Sequence, residues 1–377
     1  MRVFGIDWLE FFVSEDPAVD YSVEGFRSRG FDVIDREYGT KTMSQMFTLL
    51  DYSGDGMIEV RRAPRGLEKH AEFNVYTYGD SYVRLTNKYC YIQNPMKFLL
   101  DFLTSQRYTL KKIYRIDLFT DFVRFDTGDR PDKVMRRIVQ HKYSKVNQTH
   151  RRTSGEDTWT ECFDNWIAWG ASGSMVSTKI YNKTKELREN GMKKPWILDE
   201  WRRAGFIDNS TEISKNGIPV DVYRLEFSIK GNAKGWIVID KSDSPDGVRH
   251  MIPHTPECYS EPRGVLNAIA NLIPYYFRFK IYEPNKRKSL CKDKKLFDFS
   301  NDDAELGYRL TSASDAARVR TEWVLDDDRV IRYLSKAYGI LRETDNGQKV
   351  ASIIHDIQCK RAASVDAARD YNKKDIF

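Results

Sequence analysis

Short apolar strands alternate with turns along residues 1 to about 125, and within a strand a period of two sends one row of side chains into a core and the next into water. Residues 6–13, 45–50, 57–60, 73–76 and 81–85 read as short antiparallel strands, with Asp51-Tyr52-Ser53-Gly54-Asp55-Gly56 as a turn. Asn94-Pro95 then supplies an N-cap and a first-turn proline for a helix carrying Met96, Phe98, Leu99, Phe102 and Leu103, which leads into a strand over 114–125. A second helix is predicted over 131–139, where Val134, Met135, Ile138 and Val139 share a face, and the basic stretch 141–155 reads as a loop. Residues 159–169 and 174–181 form a predicted strand pair around Gly170-Ala171-Ser172-Gly173, followed by a helix-compatible run over 182–189.

A further strand over 222–229 stops at Gly231, and a helix over 264–273 is expected to end at Pro274, with 275–280 as a strand or an aromatic cap. Asp326-Asp327-Asp328 can cap a helix through Val330, Ile331, Leu334, Ala337, Tyr338 and Leu341, and 350–368 continue the helical pattern. The expectation is an α+β chain: a core over 1–282 built on antiparallel sheet with packed helices, a charged linker over 283–299, and a helical C-terminal region over 300–377.

Composition narrows the function less than the pattern does. At 377 residues, with 41% apolar and 13% aromatic residues, the chain can bury a sizeable core and is not a disordered polymer. Its 61 Lys and Arg against 55 Asp and Glu leave only +6, so local clusters matter more than the total. The five cysteines, Cys90, Cys162, Cys258, Cys291 and Cys359, are scattered without a C-x-x-C zinc pair or a disulfide framework. Two acids break the first apolar run before a signal-peptide core forms, and no run of about 18 apolar residues occurs. A cytoplasmic protein with no membrane partner is the expectation.

Three segments carry candidate chemistry. In the strand around 117, Arg115, Asp117, Phe119 and Asp121 share the wet face; in the strand around 226, Arg224, Glu226 and Ser228 do. Set side by side, the strands would bring Asp117 and Glu226 about 5 Å apart, which suits a Mg²⁺ or Mn²⁺ ion whose shell phosphate oxygens complete. Asp121 lies roughly 13 Å along the strand from Asp117, too far to ligate the same ion. The third segment, Lys179-Ile180-Tyr181-Asn182-Lys183-Thr184-Lys185, places a phenol among cations that can stabilise phenolate, so Tyr181 is the candidate nucleophile and Lys183 the first choice of activating residue. Arg115, Lys179, Lys185 and Arg224 are candidate phosphate ligands.

Each feature also has an ordinary reading: Tyr181 is one of 21 tyrosines, an arginine two residues before an acid can be an edge-strand ion pair, and a lysine run can be a solvated helix face. His250 and His254 have helical metal-ligand spacing, but Pro253 interrupts the helix and they read as loop residues. Trp159, Trp166 and Trp169 read as core packing rather than base-stacking platforms.

Taken together, Ile6-Asp7-Trp8-Leu9, Arg115-Ile116-Asp117-Leu118-Phe119-Thr120-Asp121, Lys179-Ile180-Tyr181-Asn182-Lys183 and Arg224-Leu225-Glu226 resemble the replication initiation factor family of rolling-circle plasmids, phages and integrative elements, over roughly residues 4 to 282. The resemblance implies a relaxase-like central antiparallel sheet and origin nicking by a tyrosine that becomes linked to the 5′ phosphate and releases a 3′ hydroxyl. It implies origin DNA, single-stranded or hairpin, as partner, with a host helicase and a second copy of the chain as further candidates. The chain lacks the His-apolar-His pair of many rolling-circle nucleases, which leaves carboxylates as the metal ligands. Two other readings stand beside this one: a relaxase for conjugative transfer, with the same chemistry, and a non-catalytic DNA-binding regulator.

Overall fold

The computed structural model describes residues 2–36, 38–64, 79–146, 151–153, 166–170, 174–191, 193–208, 218–231, 233–240, 248–299 and 309–312. Its strands are β1 (Arg2–Ser14), β2 (Val33–Asp35), β3 (Met43–Leu50), β4 (Gly56–Pro64), β5 (Asp80–Leu85), β6 (Thr109–Phe122), β7 (Tyr143–Lys145) and β8 (Arg151–Thr153). They continue as β9 (Trp166–Trp169), β10 (Val176–Asn182), β11 (Tyr223–Lys230), β12 (Ala233–Asp240), β13 (Val248–Pro253), β14 (Phe279–Ile281), β15 (Asp293–Lys294) and β16 (Arg309–Ser312). The helices are α1 (Val23–Ser28), α2 (Pro95–Ser105), α3 (Pro131–Val139), α4 (Lys183–Glu189), α5 (Pro195–Arg203) and α6 (Pro262–Tyr276).

Ten strands form one antiparallel sheet in the order β2-β3-β4-β5-β1-β6-β11-β10-β9-β8. The long strands β1 and β6 are its centre, and β11 and β10 continue it on one side. Period-two alternation divides the sheet into two chemically distinct faces. Ile116, Leu118, Ile180, Leu225, Phe227 and Ile229 belong to the main core, together with Met96, Leu99 and Leu103 of α2, Val134 and Ile138 of α3, and Ile269, Leu272 and Ile273 of α6. On the opposite face a smaller cluster, Leu187, Ile197, Leu198, Trp201, Phe206, Ile207, Ile218 and Val222, packs α4 and α5 over one end. The rest of that face carries charged and aromatic side chains.

Several elements follow directly from local chemistry. Asn94 accepts a hydrogen bond from the Lys97 amide and Pro95 occupies the first turn of α2, as its sequence predicts. Asn182, the last residue of β10, does the same for α4 by accepting from the Lys185 amide, so the strand passes into the helix one residue beyond Tyr181.

Other elements differ from the expectation. The basic stretch 141–155 includes β7 and β8, and β7 pairs with β14 while Tyr143 is buried. Pro274 does not end its helix: α6 runs on to Tyr276, because Leu272, Ile273 and Tyr276 are buried and their packing outweighs one missing amide hydrogen bond. Within 283–299, β15 pairs with β14, and Cys291, Leu296 and Phe297 are buried, so this charged stretch packs against the sheet-bearing unit. That unit spans Met1–Ser312, and β16 pairs with β12. Residues 73–76, 159–165 and 313–377, including the helices expected at 330–341 and 350–368, lie outside the described residues. No helix among the described residues is long and apolar enough to cross a membrane.

Candidate active site

The register of the central strands decides which polar residues meet. Asp117 lies opposite Ser228 on β11 and opposite Trp8 on β1, while Glu226 lies opposite Phe119 on β6 and Lys179 on β10. Asp117 and Glu226 therefore share a face, but as diagonal neighbours, about 7–8 Å apart at the backbone rather than side by side. Tyr181 pairs with Arg224, and from there its phenol reaches diagonally to Glu226, donating to Oε2 at 3.2 Å.

Lys183 is turned back over the phenol by the start of α4. Its Nζ lies 3.5 Å from the Tyr181 oxygen and 2.7 Å from Glu186 Oε2, and the side chain is buried. Lys179 approaches from the strand, with Nζ 4.4 Å from the centre of the Tyr181 ring and 5.7 Å from that of Trp166. Lys185, two positions beyond Lys183, projects from another side of the helix and is not brought to the phenol.

The two arginines of the matching strand motifs have different environments. Arg115 pairs with Asp117 through both nitrogen-oxygen contacts, at 2.9 and 2.5 Å, and its Nε also meets Ser228 Oγ at 3.1 Å. Its side chain remains 36% exposed, and its guanidinium lies over Trp8, whose other neighbour is Arg84. Arg224 is fully buried: Nε and Nη2 hold Asp121 at 2.7 and 2.8 Å, and Nη1 bonds Asp7 and the Tyr91 hydroxyl at 2.7 and 2.8 Å. With every nitrogen engaged inside the protein, Arg224 is an internal clamp rather than the phosphate ligand its sequence predicts. Trp201 of α5 closes this network by donating to Asp121 at 2.9 Å.

Burial sets the titration behaviour of the site. It pushes Glu226 up to about 7, helped by the Asp117 and Asp7 carboxylates and opposed by Arg224 and Lys179. Burial also raises Asp117, although Arg115 pulls against it, and raises the Tyr181 phenol well above its ordinary value, with Glu226 adding to the effect. Lys183 is lowered by burial and by the neighbouring Arg224. Asp7 differs: burial raises it, but Arg224, Lys183 and hydrogen bonds from Tyr91 and Asn87 bring it below the usual carboxylate range. The phenol thus faces an acceptor whose proton affinity is higher than that of an exposed carboxylate, a better match for taking a phenolic proton.

Among the described residues no group of three His, Cys, Asp or Glu side chains converges into a metal-holding cluster. Asp117 and Glu226 are nonetheless two buried acids of raised proton affinity: Asp117 raises Glu226, and Asp7 contributes to both. Arg115 on Asp117 offsets this negative charge only in part, and an ion held by the two carboxylates, with other oxygens completing its shell, would relieve the remainder. His254, set aside on sequence grounds, is buried and bonds Tyr259 at 2.8 Å.

Sequence reasoning did not assign roles to Asp7, Tyr91, Trp201 or Glu186. Only Asp7 left a local trace, an acid inside the first apolar strand; the others reach the site from separate elements. No protein-family model and no curated protein matches the chain. One solved structure, described as that of a rolling circle replication initiator protein from Geobacillus stearothermophilus, is similar with a TM-score of 0.41 and 12% identity over 78% of this chain and 94% of that one.

Proposed function

We propose that the chain is a strand-specific DNA nickase of the rolling-circle initiation type, in which Tyr181 attacks a phosphodiester. The observation that supports this most is the convergence of Glu226 and Lys183 on one phenolic oxygen, at 3.2 and 3.5 Å. A structural tyrosine needs only one hydrogen-bond partner. Here a carboxylate raised to about 7 and a buried ammonium bracket the oxygen from two different elements.

In this reading Glu226 Oε2 accepts the phenolic proton as the oxygen attacks phosphorus, and Lys183 stabilises the developing phenolate. A bond forms between the Tyr181 oxygen and phosphorus while the bond from phosphorus to the 3′ oxygen breaks. The departing 3′ oxygen takes a proton from water, leaving a 5′ phosphotyrosine and a 3′ hydroxyl. Reversal of the same step rejoins the strand. Arg115 and Lys179, both partly exposed on the site face, contact the phosphates beside the scissile bond. Mg²⁺ or Mn²⁺ is the proposed cofactor, with Asp117 and Glu226 as its protein ligands; when bound it would polarise the phosphate and offset charge on the transition state.

The test is incubation of the full chain with candidate origin oligonucleotides and Mn²⁺, followed by denaturing electrophoresis. A covalent protein-DNA band lost in Tyr181→Phe is expected. An undiminished band in that variant would remove Tyr181 from the reaction, and salt-sensitive binding with no band in the wild type would favour a non-catalytic DNA-binding protein.

A further inference from the structure

A cavity of about 610 Å³ opens on the same sheet face as the candidate active site, with Asp7 and Trp8 at one end and β3, β4 and β5 as its floor. The faces are continuous: Thr48, Glu59, Arg84, Glu10 and Arg115 follow one another across β3, β4, β5, β1 and β6 in register. From its opposite wall Trp196, near the start of α5, lines the cavity. Asn87 connects the two walls: the Trp196 indole donates to Asn87 Oδ1 at 3.0 Å, and Asn87 Nδ2 donates to Asp7 Oδ1 at 3.1 Å. The ring is thereby fixed relative to a carboxylate that Arg224 ties to the Tyr181 strand pair.

The lining carries more cations than acids. Arg36, Arg84, Lys88 and Lys194 face it alongside Asp7, Asp55 and Glu59; Arg84 pairs with Glu59, Lys88 with Asp55 and Asp7 with Arg224, while Lys194 lies 3.4 Å from Glu186, an acid it shares with Lys183. Arg36 is exposed and makes no ion pair among the described residues. At the rim, Ile34 leaves an apolar side chain 50% exposed. Trp8 is covered by Arg84 and Arg115 at 3.9 and 4.4 Å from its ring centre, so Trp196 is the aromatic ring left to meet a base.

We infer that this cavity holds an unpaired DNA segment adjoining the scissile phosphate, with Trp196 stacking on a base and Arg36 and Lys194 contacting phosphates. The inference rests on the nickase reading for its position beside the scissile bond. A single strand fits because its bases expose their faces, and the combination of a cationic groove with an aromatic platform binds such strands without reading sequence. The volume matches that of a small-molecule site, enough for about one or two nucleotides.

The experiment measures binding of an oligodeoxythymidylate of about 20 nucleotides to the full-length protein across a salt series, alongside an abasic strand and a duplex of equal length. Trp196→Leu, which keeps an apolar contact with the neighbouring cluster, is expected to weaken oligothymidylate binding about tenfold and to leave binding of the abasic strand nearly unchanged. Arg36→Ser and Lys194→Gln are each expected to reduce the salt slope by roughly 0.7. Arg36 is exposed and Lys194 only partly buried, which keeps the question answerable if Trp196→Leu unfolds.

Unchanged affinity and salt slope in Arg36→Ser and Lys194→Gln would overturn the inference, as would equal effects on duplex. If the wild type forms the Tyr181 adduct but all three variants bind and react normally, the groove fails while the nickase reading stands. If no adduct forms yet oligothymidylate binding depends on Trp196 and Arg36, the groove stands and the nickase reading fails.

Discussion

Arg115-Ile116-Asp117 on β6 and Arg224-Leu225-Glu226 on β11 are the same local pattern, on adjacent strands and on one face of one sheet, with opposite outcomes. Arg115 pairs within its own strand and stays 36% exposed. Arg224 is fully buried and turns away from Glu226 to hold Asp121 and Asp7. The difference comes from what covers the sheet: α5 brings Trp201 onto Asp121 at one end, while the Arg115 end has no such cover from α4 and α5. One arginine is consumed by the fold, so its acid, Glu226, has no partner in its own strand and accepts from Tyr181 instead.

This contrast can be broken most severely at the buried clamp. Arg224→Met is expected to destabilise the protein by about 3–5 kcal/mol, because it leaves Asp121 and Asp7 buried without their cation. Urea denaturation reads this directly, and a change below about 1 kcal/mol would mean that the network carries no structural weight.

Glu226→Gln tests the acid set free by that clamp. Loss of a proton acceptor that is also a proposed metal ligand is expected to lower single-turnover nicking by at least about 10²–10⁴-fold. Stability should respond the other way. The Glu226 pKa is raised from 4.5 to about 7, so its contribution is fully present below pH 4.5 and lost as the pH rises through about 7. The wild type should thus lose more stability than Glu226→Gln between those two values. Parallel stability curves for the two proteins would contradict the buried, raised carboxylate.

The smallest effect on stability is expected at the exposed arginine. Arg115→Met should cost about 1–3 kcal/mol, less than Arg224→Met, because the guanidinium is a third exposed but its partner Asp117 is buried and loses its cation. It should still weaken single-strand binding and reduce the salt slope by roughly 0.7, which Arg224→Met should not do once its folded fraction is corrected for. Equal salt slopes in the wild type and Arg115→Met would erase the distinction between the two arginines.

What the sequence made legible follows the range of the interactions involved. α3 spans the predicted residues because Pro131 and one apolar face define it locally, and Asn182 caps α4 for the same kind of reason. Strand faces were legible because period two is a local property. Register was not: sliding β11 by two residues keeps every side chain on its face yet moves Asp117 from beside Glu226 to beside Ser228. Nor was the fate of Arg224 legible, since Asp7, Tyr91 and Trp201 reach it from separate elements. Pro274 shows the same limit, with a local helix-breaking signal overridden by tertiary packing of α6.

The central claim is that one phenol, Tyr181, carries the DNA. Digesting the covalent complex with trypsin and nuclease and sequencing the modified peptide by mass spectrometry tests it directly. A residual nucleotide is expected on the peptide Ile180-Tyr181-Asn182-Lys183, attached to Tyr181. A nucleotide mapped to any other residue, with Tyr181 unmodified, would contradict it.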